Sequence, residues 1–330
     1  MLDYIIFAII PPVKAVILSG GLGTRLRPLT LGTPKPLLPL ANRPFLLYQL
    51  ANLRRHGIRE AVLATAYRPL DFKRALGDGR GLGMRLRYVH ERVPLGTGGG
   101  VGNARRFLDG RTLVLNGDVL QSLDVTSLVR SHERARADVS ITLVKVPDPR
   151  NYGLVVTDKT GRVERFLEKP RSRRLPCDTI NAGAYIFEPR ILDLIPPRTV
   201  FSLERELFPR LVRDGARVFG WITRGYWLDI GTVGKYLQAN RDILSGKAPF
   251  KPARSARVDP GRGVCLGEGC SVAEGAVLED CVVLEGSSIG PRARLSGCVI
   301  GRRCRIGHDS EVGPGRALGD GSVVTGFSKL

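Results

Sequence analysis

Residues 14–40 read KAVILSGGLGTRLRPLTLGTPKPLLPL. The apolar run Ala15-Val16-Ile17-Leu18 has the length and content of a buried strand. It breaks at once into Ser19-Gly20-Gly21-Leu22-Gly23-Thr24-Arg25. Glycines at a strand end let the backbone approach a ligand and turn its N–H groups toward phosphate oxygens. Arg25 adds a forked cation, and Lys35 adds a compact one, its backbone restricted by Pro34 and Pro36. This chemistry suits a polyphosphate held over the end of a strand. Two commoner glycine motifs are excluded. A P-loop requires a Gly-Lys pair that is absent here, and a dinucleotide fingerprint starting at Gly21 would need glycine where Leu26 stands.

Outward from this stretch, strand-like and helix-like runs alternate to about residue 150. Pro44–His56 reads as a helix stopped by Gly57, and Ala61–Ala66 as a strand. Val101–Leu108 reads as a helix and Thr112–Leu115 as a strand. Val125–Ala135 reads as a helix capped by Asp124, and Ser140–Val146 as a strand. The alternation predicts an α/β domain around a mostly parallel sheet, with ligands at the carboxyl ends of the strands. The opening glycine loop and Asp118 both follow strands and so fall on that rim.

Residues 247–255 are basic and proline-bearing and read as a linker. Beyond them an aliphatic recurs every five or six residues: Leu266, Val272, Leu278, Leu284, Ile289, Leu295, Ile300, Ile306, Val312 and Leu318. Small residues sit two positions before most of them, among them Cys270, Cys298 and Cys304. That is the hexapeptide pattern of a left-handed parallel β-helix with small interior corners, so these cysteines are expected to be packing residues. The predicted organisation is the α/β domain, the linker at 247–255 and a β-helix at 256–330.

The chain has 330 residues, 43% of them hydrophobic, and a net charge of +20. No apolar run is long enough for a membrane helix, and the N-terminal apolar segment lacks the basic start of a signal peptide. The arginines are scattered and no nucleic-acid motif accompanies them, so neither a specific nucleic acid nor a membrane is expected as a partner. The six cysteines form no C-x-x-C pair and there are only four histidines, which argues against a zinc site, and without a signal peptide a reduced, cytoplasmic chain is expected.

GGLGTRLRPLT with TPKPLL resembles the signature of the sugar-1-phosphate nucleotidyltransferases, also called nucleotide-sugar pyrophosphorylases. LGTGGG at 95–100, VLNGDV at 114–119, FLEKP at 166–170, INAGAYIF at 180–187 and GYWLDIG at 225–231 resemble further blocks of that family, in family order. FSLEREL at 201–207 has near counterparts in the mannose-1-phosphate guanylyltransferases, the subgroup the chain most resembles. The resemblance implies an extension at 1–12, a Rossmann-like nucleotidyltransferase catalytic domain with a mostly parallel mixed sheet at 13–246, and then the β-helix. It also implies attack of a sugar-1-phosphate on the α-phosphorus of a nucleoside triphosphate, with GTP and mannose-1-phosphate the preferred pair.

By the same resemblance, Arg25 and Lys35 are phosphate ligands and transition-state stabilisers, and Asp118 and Asp229 hold Mg²⁺. Leu18, Gly20, Gly21, Gly23, Thr24, Gly96, Thr97 and Asn116, with Arg25, are nucleotide-binding. Gly153, Glu168, Lys169 and Asn181 are on the sugar-phosphate side. The β-helix is expected to drive homo-oligomerisation. Gly98-Gly99-Gly100 departs from the mannose subgroup, which more often has Ala in the middle, and leaves heptose-1-phosphate guanylyltransferase and glucose-1-phosphate thymidylyl- or adenylyltransferase as alternatives. A catalytically silent regulatory paralogue is the alternative of another class. Acyl transfer in the β-helix, with His308 as base, is disfavoured by the short tail.

Overall fold

Strand β1 (Lys14–Ser19) is the hub of the main sheet, and the computed structural model places it between two parallel partners. The structure describes residues 13–170, 172, 174–253 and 257–330, so the N-terminal extension lies outside the described residues. The short strands β2 (Pro39–Leu40) and β3 (Arg43–Pro44) lead into helix α1 (Phe45–Arg55), followed by β4 (Glu60–Thr65), α2 (Pro69–Leu76) and β5 (Arg85–His90). Helix α3 (Gly96–Ala104), β6 (Thr112–Asn116), β7 (Val119–Gln121), α4 (Val125–Arg134) and β8 (Val139–Lys145) come next. Then follow β9 (Gly153–Thr157), β10 (Val163–Glu168), β11 (Thr179–Phe187), the short helices α5 (Pro189–Leu192) and α6 (Phe208–Arg213), β12 (Val218–Ile222), β13 (Trp227–Asp229) and α7 (Val233–Leu244).

The main sheet runs β10-β9-β11-β6-β1-β4-β5, with β8 on β11 and β12 on β8. Strands β6, β1, β4 and β5 are parallel, as the alternation with helices predicts, whereas β11 runs antiparallel to β6, β8 and β9. The sheet is therefore mixed, with its parallel half built from the first half of the chain. Asp124 caps α4 as expected, its carboxylate accepting from Ser127 N at 3.0 Å. The helix expected at Val101 begins instead at Gly96. The Phe201 carbonyl accepts from the N–H groups of Gly98 and Gly99 at 2.9 and 3.0 Å, so a distant segment satisfies the open helix end that the local sequence leaves bare.

The chain forms two compact units. One holds residues through Gly21, 50–117 and 123–225; the other holds 22–49, 118–122 and 226–330. The first has its core between the sheet and α3, with Val16, Val114, Tyr185, Phe187 and Phe208 fully buried. In the second, residues 264–324 form three rows of short parallel strands, the coils of the expected β-helix. Ser271 pairs with Ser288 and Ser288 with Arg305, so a coil takes 17 residues there and one hexapeptide is shortened to five. Cys270, Cys298 and Cys304 are interior, as expected, but Val272 in the first coil faces outward.

The coils differ from the sequence reading in one important respect. Cys265, Val282, Leu284 and Val299 pack in one apolar cluster with Leu26, Leu29, Phe45, Tyr48 and Tyr236. The β-helix thus shares a core with the segment that follows the glycine loop, although the family-like blocks and the repeats are separate stretches of sequence.

Candidate active site

In the second unit, Gly23 adopts the left-handed φ of 62° and starts a tight turn at Thr24–Leu26. A side chain there would lie 3.0 Å from Thr30 Cγ2 and 3.1 Å from Lys35 Cβ, so glycine permits the loop to close on itself. Thr30 Oγ1 donates to the Gly23 carbonyl at 2.9 Å, and Leu26 and Leu29 anchor the loop in the apolar cluster. Lys35, only 7% exposed, lies in its own short turn between the two prolines. Its Nζ donates to Asp118 Oδ2 at 2.9 Å, which joins positions 83 residues apart.

Strands β7 and β13 form an antiparallel ribbon with Asp229 opposite Val119, and Ile230 N donates to the Asp118 carbonyl at 3.2 Å. The ribbon therefore presents Asp118 and Asp229 at one end. Burial is the main cause holding the Asp229 carboxyl above the usual carboxylate range, and the neighbouring Asp118 pushes the same way. Lys35, Lys235 and Arg25 pull it back. The Arg25 guanidinium lies against Gly231, where a Cβ would come within 3.0 Å of it. Lys235, unrecognised in the sequence, comes within 3.8 Å of Asp229 from the first turn of α7. The Thr232 cap, which accepts from Lys235 N, is the sequence signal that could have placed it.

These residues fit a divalent cation. Among the described residues no group of three or more His, Cys, Asp or Glu forms a metal cage. Two mutually repelling carboxylates, one already holding the Lys35 ammonium as its counter-cation, suit Mg²⁺, which takes one or two carboxylates and completes its shell with phosphate and water.

The first unit carries the remaining expected residues. Leu18 pairs with Asn116, and Gly117 N donates to the Leu18 carbonyl at 2.8 Å, so the ends of β1 and β6 are tied together. A Cβ on Gly117 would come within 2.6 Å of that carbonyl. Gly20 faces the buried Glu91 carboxylate, which accepts from Leu95 N at 2.9 Å and is pushed up by burial. Gly21 is open, with nothing within 4 Å of where a side chain would start. Gly96 has a φ of 76°, and a Cβ there would clash with the Phe201 carbonyl at 2.8 Å. Gly98 and Gly99 are equally constrained, by Phe201 and by Thr199.

Thr97 accepts from Leu203 N at 3.0 Å and donates to Glu204 at 2.5 Å, so its hydroxyl fastens residues 202–207. Glu204 also accepts from Tyr185, whose hydroxyl in turn accepts from the Asn181 amide at 2.7 Å. Asn181 Oδ1 accepts from Gly183 N, and Gly183, at φ 75°, lies over the Asn116 amide. Asn181 and Thr97 are thereby linked through Tyr185 and Glu204, and Asn116 lies beside them against Gly183. Sequence reasoning missed Glu204, although it stands inside FSLEREL. Gly153 opposes Glu168 on the β9–β10 pair, and its lack of a side chain leaves room for that carboxylate, 2.7 Å from where a Cβ would be. Burial pushes Glu168 up, opposed by the adjoining Lys169 at 3.7 Å.

A mixed α/β sheet with glycine loops at its strand ends in the first unit, and cations beside paired carboxylates in the second, are the parts of a nucleotide-handling transferase. The comparisons specify it further. The chain belongs to the nucleotidyl transferase family, whose model matches residues 14–246, and the GMPPB C-terminal domain model matches 252–326. It is 43% identical over 291 residues to mannose-1-phosphate guanylyltransferase of Mycobacterium tuberculosis, covering 87% of this chain and 79% of that one. It is 34% identical to the mannose-1-phosphate guanylyltransferase catalytic subunit beta of Drosophila melanogaster, covering 94% of each. Among solved structures, HddC from Yersinia pseudotuberculosis complexed with GMP-PN superposes with a TM-score of 0.60 at 29% identity. That match covers 70% of this chain and 99% of the other. Among the described residues no helix is long and apolar enough to cross a membrane.

Proposed function

We propose that this chain transfers the guanylyl group of GTP to mannose-1-phosphate, giving GDP-mannose and pyrophosphate. The observation that carries the proposal is the Arg25–Lys35–Asp118–Asp229 cluster, in a chain 43% identical over most of its length to a mannose-1-phosphate guanylyltransferase. The sugar phosphate oxygen attacks the α-phosphorus and pyrophosphate leaves. Two polyanions must meet, so catalysis rests on position and charge neutralisation. Arg25 and Lys35 meet the triphosphate and the charge that builds up on it. Asp118 and Asp229 would hold Mg²⁺, which supplies further neutralisation across the phosphates. Gly20, Gly21 and the 96–97 turn offer backbone groups to the nucleotide, with Leu18, Gly23, Thr24 and Asn116 completing that side. Glu168 and Asn181 accept and donate to sugar hydroxyls beside Gly153, and Lys169 meets the sugar phosphate.

The reading includes a homo-oligomer in the cytoplasm, where buried thiols such as Cys265, Cys281 and Cys298 stay reduced. The test is pyrophosphate release over a grid of nucleoside triphosphates and sugar-1-phosphates. GTP with mannose-1-phosphate should lead in kcat/KM. A lead of about tenfold, some 1.4 kcal/mol, for dTTP or ATP with glucose-1-phosphate, or for a heptose-1-phosphate, would replace it.

A further inference from the structure

The segment between the two phosphate cations rests on the β-helix. Arg302, at a turn of the β-helix and 18% exposed, donates from Nη1 to Thr33 Oγ1 at 2.8 Å. Its guanidinium is aimed by two carboxylates of neighbouring coils, Glu285 at 3.1 Å and Asp320 at 3.6 Å. Asp320 also accepts from the Arg302 backbone N–H at 2.8 Å. Beside it, Gly319 lies so close to Pro28 that a Cβ would be 3.2 Å from the proline ring, and Gly32 faces Asp320. Thr33 is two residues from Lys35, and Pro28 is three from Arg25. Leu26 and Leu29 pack in the same cluster as Val282 and Val299 of the coils.

We propose that Arg302 is a positioning residue, which fixes residues 28–33 through Thr33 and so sets where Arg25 and Lys35 stand relative to Asp118 and Asp229. The β-helix is thereby part of the catalytic apparatus without touching substrate. This inference rests on the proposed transferase reading. The physical basis is that a cation acts on the transition state only when held in place, and small displacements cost rate steeply.

The test compares Arg302→Met, Arg302→Lys, Thr33→Val and the Met/Val double variant in the full chain. Arg292→Met serves as a control that breaks an exposed coil ion pair with Asp309. With GTP and mannose-1-phosphate, Arg302→Met and Thr33→Val should each lower kcat by roughly tenfold while KM for mannose-1-phosphate stays within about twofold. The double variant should be no slower than the slower single one, because both changes cut the same contact. Arg302→Lys should recover part of the rate. Thr33→Val keeps the side-chain shape and tests the contact even if Arg302→Met does not fold. Wild-type kcat in Thr33→Val, additive losses in the double variant, or an equal loss in Arg292→Met would each overturn the inference. An unmodified chain that turns over no nucleotide and sugar-phosphate pair would instead remove the transferase reading itself.

Discussion

Burial, and after it the Asp118 carboxylate, pushes the Asp229 carboxyl up, and the proposed Mg²⁺ would relieve the repulsion between the two. Asp118→Asn and Asp229→Asn keep size and remove charge, so each should lower kcat by roughly 10²–10⁴, the scale of losing a main electrostatic stabiliser. The double variant should be little slower than the worse single one if, as proposed, the pair serves one ion. Near-normal turnover in either single variant would dissociate that residue from the metal. Stability reports the same pair by a different route. Asp229 holds its proton more tightly in the folded chain than in the unfolded one. Its contribution to stability is complete below the unfolded value, about 3.9, and is lost as pH rises through the raised folded value. Asp229→Asn stays neutral throughout, so in the absence of metal it should melt at or above the parent temperature at pH 7. The difference should shrink toward pH 4. Calorimetry across that range checks this, and a variant markedly less stable at neutral pH would mean the carboxylate serves a structural bond.

Among the elements, α3 shows why three glycines follow one another. Gly96 needs its left-handed φ, Gly98 lies against the Phe201 ring, and a methyl on Gly99 would meet the Thr199 carbonyl at 2.4 Å and Leu95 Cβ at 2.5 Å. Gly98 and Gly99, in the triplet where the mannose subgroup more often has Ala in the middle, therefore have a packing cause in the close approach of residues 199–201. Gly100 is confined instead by Leu18 and Glu91, so the triplet needs no difference in the sugar bound. Gly99→Ala should cost about 1–3 kcal/mol by overpacking and lower the melting temperature by several degrees. The ratio of kcat/KM values for mannose- and glucose-1-phosphate should not move. A stable variant with an altered ratio would return the glycines to specificity.

The same element marks the limit of what the sequence made legible. Strand β1, the Asp124 and Thr232 caps, the interior cysteines and the residues of the Lys35–Asp118–Asp229 cluster could all be found from local pattern or motif. The start of α3 could not, because its stabilising acceptor is a carbonyl at residue 201. Neither could the contacts of Arg302 or of Glu204, which FSLEREL marks without showing its partner, because the partners are 269 and 107 residues away. Charged residues with partners that remote leave no periodic trace along the chain.

At the scale of the molecule, the sequence divides near residue 250, while the packing joins 226–330 to 22–49. The coils therefore should not behave as a detachable oligomerisation module, and residues 257–330 should unfold together with the loop that carries Arg25 and Lys35. The two tryptophans allow a direct measurement: Trp221 belongs to the first unit and Trp227 to the second. Ile300 is fully buried in the coil interior and is absent from the cluster shared with the loop. Ile300→Ala should cost about 2–5 kcal/mol in the coils by leaving a cavity. If coils and loop form one cooperative unit, the urea transition reported by Trp227, in a Trp221→Phe background, should shift down by the amount that far-ultraviolet dichroism reports for the coils. A net stability of only about 5–15 kcal/mol makes such a shift easy to resolve. A Trp227 transition that stays in place while the coils melt early would show that the shared apolar cluster does not couple them, and that the β-helix can be lost without disturbing the segment that carries Arg25 and Lys35.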